Sequence, residues 1–327
     1  MTYSRIAQIN MEVSKIALGC WAFAGGSNWG PQNDEDSMNT VDAAISHGIN
    51  VLDTAEGYGD GYSESVIGRA LKNRRHEVVI ATKPAPSRST YPELQKACNE
   101  SLKRLGTDYI DLYQQHWPNH DVPLEETVGG MERLKEQGKI RAFGVCNYGT
   151  GDLDSLLAHG KPVTNQLAYS LIWRAIEFEV QPKCEKNGIG ILCYSPIAQG
   201  LLTGKYRSAD DVPVGRARTK HFAGSREQAR HGRPGAETET FDAIDRIRTI
   251  SRQSGFSMLE LSVGWLLQQP AVTSVLTGAR TPEQLSQNAA AADAALPPDV
   301  VDELTRVTDD LKHILGTNPD PWADRMA

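Results

Sequence analysis

The sequence predicts an α/β fold: a (β/α)8 TIM barrel with an N-terminal hairpin, a long loop and an extra helix after the seventh strand, and a C-terminal helix. Three observations carry this. Short apolar runs recur eight times, spaced by roughly one strand–helix–strand unit, and such crossovers keep one hand and bury every strand. Successive runs end in chemistry: Asp53, Lys83 30 positions on, and His116 33 further. No G-x-G-x-x-G follows the first run, which counts against a doubly wound open sheet.

Residues 3–14 alternate weakly and turn near Asn10-Met11, as a small hairpin would. Ile16-Ala17-Leu18-Gly19-Cys20 is the first barrel strand, followed by a glycine-rich loop carrying Trp21, Phe23 and Trp29. Met38, Val41 and Ile45 share a helix face that stops at Gly48. Gly48-Ile49-Asn50-Val51-Leu52 leads into Asp53, a helix covers about 63–71, and Val78–Thr82 leads into Lys83. The third helix has Thr90 and Glu93 as a capping box, a stripe of Leu94, Cys98, Leu102 and Leu105, and Gly106 as its stop. Tyr109–Gln115 leads into His116, and a helix with Leu124, Val128, Met131 and Leu134 ends at Gly138.

Four further strands follow: Ile140–Val145 ending near Asn147, one around Val163 ending near Gln166, Ile189–Cys193 ending at Tyr194, and Val272–Leu276 ending near Gly278. The interval from Tyr194 to Gly278 breaks the rhythm. It holds a loop of about forty residues, a helix over about 237–253, and another starting at Ser257 with Glu260 as capping partner.

Bulk properties limit the function. The 327 residues are 39% hydrophobic and 23% charged, enough for a large core, and are read as one barrel domain. A net charge of −7 disfavours nucleic acid and acidic membranes as general partners, and no apolar run reaches a spanning length. Without a signal-like N-terminus, and with five cysteines in no metal-ligand spacing, the chain reads as cytoplasmic, thiol-reduced and metal-free.

A barrel's site lies at the carboxyl ends of its strands. There the sequence places a carboxylate (Asp53), a phenol in the next loop (Tyr58), an ammonium (Lys83) and an imidazole (His116). Taken singly these are a turn residue, a packing ring, a solvated lysine and a loop histidine. Together, Lys83 would lower the Tyr58 pKa, Asp53 would hold Lys83 charged, and His116 would orient a substrate oxygen or relay the proton. Such a set protonates a forming oxyanion or deprotonates an alcohol; a hydride must come from a cofactor.

Asp53–Gly59 with Ser63-Glu64, Ala81-Thr82-Lys83, Asp108–His116, Gly138–Asn147, Asn165-Gln166, Tyr194-Ser195-Pro196, Gly278–Gln284 and Asn288 together resemble the aldo-keto reductases. The resemblance covers nearly the whole chain, fails mainly between about 208 and 236, and is nearest to the bacterial aldose-reductase-like and potassium-channel β-subunit-like branches. It implies extended NADPH, a tetrad of Asp53, Tyr58, Lys83 and His116, and Tyr58 as general acid. It further implies Asn147 and Gln166 on the carboxamide and Tyr194 stacked on the nicotinamide. Gly19, Trp21, Ser195, Gln199, Gly200, Leu201 and Lys205 would lie along the dinucleotide. Gly278, Arg280, Gln284 and Asn288 would hold the adenosine end, beside a helix start marked by Thr281 and Pro282. Substrate would meet Trp21, Tyr58, His116 and Trp117. Cys146 replaces the usual serine, Thr277 a proline, and Gln284 a basic residue, so 2′-phosphate preference falls on Arg280 and NADH stays open.

The leading expectation is an NADPH-dependent reductase of an aldehyde, ketone or aldose, including anionic sugars. The alternatives are a nucleotide-sensing regulatory protein on the same scaffold and a Schiff-base aldolase using Lys83. A homo-oligomer is left open. Residues 205–233 carry eight Lys/Arg against three acids, a local +5 in an acidic chain. This stretch is either a solvated loop or a cover over the barrel mouth whose Arg218, Lys220, Arg226, Arg230 and Arg233 select an anionic substrate.

Overall fold

The computed structural model describes residues 1–6 and 9–323. Strands β1 (Tyr3–Ile6) and β2 (Met11–Ser14) form the antiparallel hairpin. Asn10 turns at φ 51, a left-handed conformation that asparagine tolerates. Eight parallel strands follow: β3 (Ile16–Gly19), β4 (Val51–Asp53), β5 (Val79–Thr82), β6 (Ile110–Gln115), β7 (Ile140–Cys146), β8 (Thr164–Ala168), β9 (Gly190–Tyr194) and β10 (Val272–Gly278). They close in the order β10-β3-β4-β5-β6-β7-β8-β9.

Alternation along the strands separates two apolar layers. Ile16, Leu18, Leu52 and Ile80 pack outward with Val41, Val66 and Cys98 of the surrounding helices. Ala17, Val51, Val79, Leu112, Ala142, Leu192 and Leu276 cluster instead with Ile6, Met11 and Val13 of the hairpin. The hairpin therefore plugs the end of the barrel where its strands begin. At the other end the register sets Gly19 beside Asp53, Asp53 beside Ala81, Cys146 beside Gln166 and Gly278 beside Gly19. That shared rim receives the polar strand ends.

The helices are α1 (Gly26–Trp29), α2 (Asp34–Ser46), α3 (Tyr62–Ala70), α4 (Tyr91–Leu105), α5 (Leu124–Glu136), α6 (Thr150–Leu157), α7 (Val180–Asn187), α8 (Glu237–Ser254), α9 (Met258–Leu266), α10 (Pro282–Ala291), α11 (Pro298–Val307) and α12 (Asp309–Leu315). Gly106 ends α4 in the left-handed conformation, as its position predicts. The capping box expected at Thr90 does not form, since the Thr90 side chain makes no cap hydrogen bond, although Pro92 in the first turn leaves the Glu93 N–H in place. The box at Ser257 and Glu260 does form. β8 runs two residues past Gln166, and the C-terminal helix is two helices in succession, α11 and α12.

The long segment after β9 is not a solvated loop. Tyr206, Val212, Ala217, His221 and Phe222 are buried within it. His221 accepts no charge there: burial and the neighbouring His231 lower its pKa to about 4, against the pull of a hydrogen bond to the Ile172 carbonyl at 2.8 Å. Gly235, at φ 77, lies where a Cβ would strike the Phe222 backbone at 2.3 Å, so the return of the segment toward α8 needs glycine. None of the helices is long and apolar enough to cross a membrane among the described residues.

Candidate active site

Four strand ends and one loop build the centre of the rim. Asp53 closes β4, Lys83 follows β5, His116 follows β6, and Gln166 lies on β8. Lys83 is fully buried; its Nζ donates to Asp53 Oδ1 at 2.7 Å and to the Thr54 carbonyl at 2.7 Å. Gln166 Nε2 donates to Asp53 Oδ2 at 2.7 Å, so both carboxylate oxygens are engaged. Burial disfavours the ammonium most, but Asp53, Tyr58 and Cys146 together outweigh it and hold the Lys83 pKa above its ordinary value.

Tyr58 lies across this pair, its ring centroid 5.2 Å from Lys83 Nζ. Its loop is shaped by a turn from Tyr58 N–H to the Ala55 carbonyl at 3.1 Å and by Gly59 at φ 63. Behind it Glu64 accepts from Thr82 Oγ1 and pairs with Arg104, each at 2.6 Å. Gly61 is held open for that arginine, since a Cβ there would meet Arg104 Cδ at 2.3 Å. Burial pushes the Tyr58 phenol up to about 12, Lys83 pulling the other way. The lowering expected from Lys83 is therefore present but smaller than the desolvation that opposes it. His116 meets the Tyr58 ring edge-on at 5.9 Å, and Trp21 stacks on the same ring at 5.6 Å and 21°. Trp117 is partly buried against the core beside His116.

The rim continues toward β9. Tyr194 Oη donates to Asn147 Oδ1 at 2.9 Å, and Asn147 Nδ2 donates to the His116 carbonyl at 3.0 Å. Asn147 itself has φ 61. Next come Ser195, Ala198, Gln199 and Gly200 at φ 54, 45, 56 and 98. Left-handed non-glycine residues in such density store strain, which concentrates at ligand sites. A Cβ at Gly200 would come within 3.4 Å of Arg216 Nη1 and 3.5 Å of Lys205 Cε. Leu201 is buried beside it.

At the far side Gly278 and Gly19 pair across β10 and β3, and Asn288 Nδ2 donates to the Gly278 carbonyl at 3.1 Å. Thr281 caps α10. Gln284 Oε1 accepts from the Arg280 backbone at 2.9 Å, while the Arg280 guanidinium donates to Gln32 Oε1 at 2.7 Å and to the Pro31 carbonyl. No carboxylate neutralises Arg280 among the described residues.

A profile of the Aldo/keto reductase family matches residues 15–309. The chain belongs to the aldo/keto reductase family. Among its relatives is an NADH-specific methylglyoxal reductase of Escherichia coli K12, 34% identical over 91% of this chain and 97% of that one. The glycerol dehydrogenase AKR11B4 of Gluconobacter oxydans superposes with a TM-score of 0.79 at 31% identity, covering 98% of each chain. A Klebsiella pneumoniae aldo-keto reductase solved with NADPH gives 0.74 at 29%, covering 94% and 96%. This aldo/keto reductase is thus an oxidoreductase of a nicotinamide-using family.

Hydrogen bonds and ring contacts join Trp21, Asp53, Tyr58, Lys83, His116, Asn147, Gln166 and Tyr194 of the expected residues, while two of the expected cation roles need qualifying. Arg280 is tied to Gln32 rather than standing free. Of the five distal cations, Arg226 is engaged by Glu237 at 2.7 Å and Asp210 at 3.3 Å, and Lys220 is buried with its backbone on the Pro321 carbonyl. Three residues were missed in their placement: Arg216 beside Gly200, Gln32 on Arg280, and Trp322, which meets Arg218. Their signals lie in tertiary contacts between distant segments, which local pattern does not carry. Cys146, in the serine position, is buried with its thiol pKa raised by desolvation.

Proposed function

We propose that this aldo/keto reductase reduces an aldehyde, ketone or aldose to an alcohol with NADPH, Tyr58 acting as general acid. The observation that carries the reading is the buried Asp53–Lys83 pair under the face of Tyr58, with His116 at that ring's edge. The carbonyl oxygen lies between Tyr58 and His116, and the cofactor supplies the hydride. As charge builds on that oxygen, Tyr58 gives it a proton. An alkoxide is about as basic as hydroxide, whose conjugate acid has a pKa of roughly 15.7. Transfer from a phenol near 12 is therefore downhill without further activation. Lys83 opposes the resulting phenolate's cost, and Asp53 keeps Lys83 in place.

The cofactor's fit is supported by the strained segment and its cations. Lys205 and Arg216 over Gly200 suit a pyrophosphate, with Ser195, Gln199 and Leu201 lining its path. Gln166 Oε1 takes no hydrogen bond among the described residues and suits a carboxamide N–H, with Asn147 beside it. Tyr194 presents a ring for the nicotinamide; Gly19, Trp21, Gly278, Arg280, Gln284 and Asn288 complete the groove. A cationic Arg280 without a carboxylate favours NADPH, though an NADH-specific relative shows that the family also takes NADH. The Schiff-base alternative fits poorly, because Asp53 holds Lys83 as an ammonium, which is no nucleophile.

The test is cofactor oxidation with NADPH and NADH over aldehydes, ketones and aldoses. NADPH consumption that requires a carbonyl compound supports the reading. No consumption with any of them contradicts it.

A further inference from the structure

Arg218 enters the mouth from the long segment after β9. Its guanidinium carbon lies 4.9 Å from the Trp322 ring centroid and 5.8 Å from that of Trp21. Trp21 in turn stacks on Tyr58. The cation is thus one indole removed from the phenol and lies over two aromatic rings. Its Nε is buried and has no hydrogen-bond partner, and no carboxylate pairs with it among the described residues. Burial and Arg230 both disfavour its charge, yet a guanidinium stays protonated in proteins. Leaving such a group without an anion is costly.

We propose that Arg218 is the anion-recognising residue of the substrate site, so that the favoured substrates are short carbonyl compounds bearing a carboxylate. This rests on the reductase reading above. The indoles leave the guanidinium N–H groups without an acceptor at Nε, and a guanidinium's in-plane N–H edge matches a planar carboxylate in bidentate fashion. The dinucleotide phosphates do not need it, because Lys205 and Arg216 stand at Gly200. Among the other distal cations, Arg226 already has acidic partners, Lys220 Nζ donates to Asn318 Oδ1 at 3.4 Å, and Arg230 and Arg233 are exposed, so the recognition narrows to Arg218, with Arg230 adding positive potential.

The probes are 4-oxobutanoate and butanal, which share an aldehyde and differ in the carboxylate. Wild type should favour 4-oxobutanoate. Arg218→Gln should lower its kcat/KM by about 10- to 100-fold, mostly through KM, with a change of less than about twofold for butanal; the partly buried guanidinium sets the modest end of the range for truncating a charged pair. Arg218→Lys should keep part of the preference, and NADPH affinity by fluorescence quenching should hold. Equal losses on both aldehydes, a fall in NADPH affinity, no loss on either, or a wild-type preference for butanal would each overturn the assignment. In all four outcomes the enzyme still reduces an aldehyde with NADPH, so the reductase reading survives. Failure of wild type to oxidise NADPH with any carbonyl compound overturns both.

Discussion

Lys83 is the residue on which the site's electrostatics turn. A fully buried ammonium 2.7 Å from a carboxylate is stable only as a pair, and cutting one partner strands the other's charge. Lys83→Met should therefore cost about 3–5 kcal/mol of folding stability in denaturant titration as well as activity. A variant of wild-type stability would mean that Asp53 had taken up a proton or another partner. Tyr58 makes a second prediction. With the phenol pushed up to about 12, its acid form persists well above the ordinary value of 10. The kcat/KM for reduction should show no loss from phenol ionisation up to about pH 11. The reverse oxidation, which needs the phenolate, should rise about tenfold per pH unit over the same range. An alkaline limb in reduction near pH 8 that Tyr58→Phe abolishes would contradict the burial argument. The residues themselves were readable because each stands at a strand's end in a short polar signature. The sign of the Tyr58 shift was not, because the sequence shows the neighbouring lysine but not the depth of burial.

At the scale of elements, the proposed cofactor groove is divided between the strand-end loops. The segment after β9 offers Lys205 and Arg216 at Gly200, whereas the start of α10 offers Arg280. A pyrophosphate is common to NADPH and NADH, and a 2′-phosphate is not. The double variant Lys205→Met, Arg216→Met should therefore weaken both cofactors alike in equilibrium binding. Arg280→Ala should weaken NADPH more than NADH. The reverse pattern would exchange the two assignments. Helix starts show where local signals suffice. Ser257 with Glu260 forms its box, whereas Thr90 with Glu93 at the same spacing leaves the Thr90 side chain without a cap hydrogen bond. The segment from 204 to 236 was legible as basic but not as packed. Its buried residues, Tyr206, Val212, Phe222 and His221, follow no helical or alternating period, and its fixed points are contacts such as Lys220 N–H with the Pro321 carbonyl, 101 positions away in sequence.

For the molecule as a whole, one topological fact does the organising. A closed parallel barrel puts the ends of β4, β5, β6, β8 and β9 on one rim, so residues 30 to 113 positions apart become hydrogen-bond partners of Asp53. That closure was legible from eight recurring runs and their spacing, since few topologies accommodate so many right-handed crossovers. The hairpin plug serves the same end by filling the opposite mouth with Ile6, Met11 and Val13. The central claim is that this rim is a proton-donating site for a carbonyl reduced by a bound nicotinamide, with Tyr58 as donor. It is tested most directly by Tyr58→Phe, assayed for NADPH oxidation with the best carbonyl substrate while NADPH binding is followed by fluorescence quenching. Loss of one hydroxyl should cut turnover by about 10²–10⁴ and leave NADPH affinity unchanged. Wild-type turnover in the variant would contradict the account.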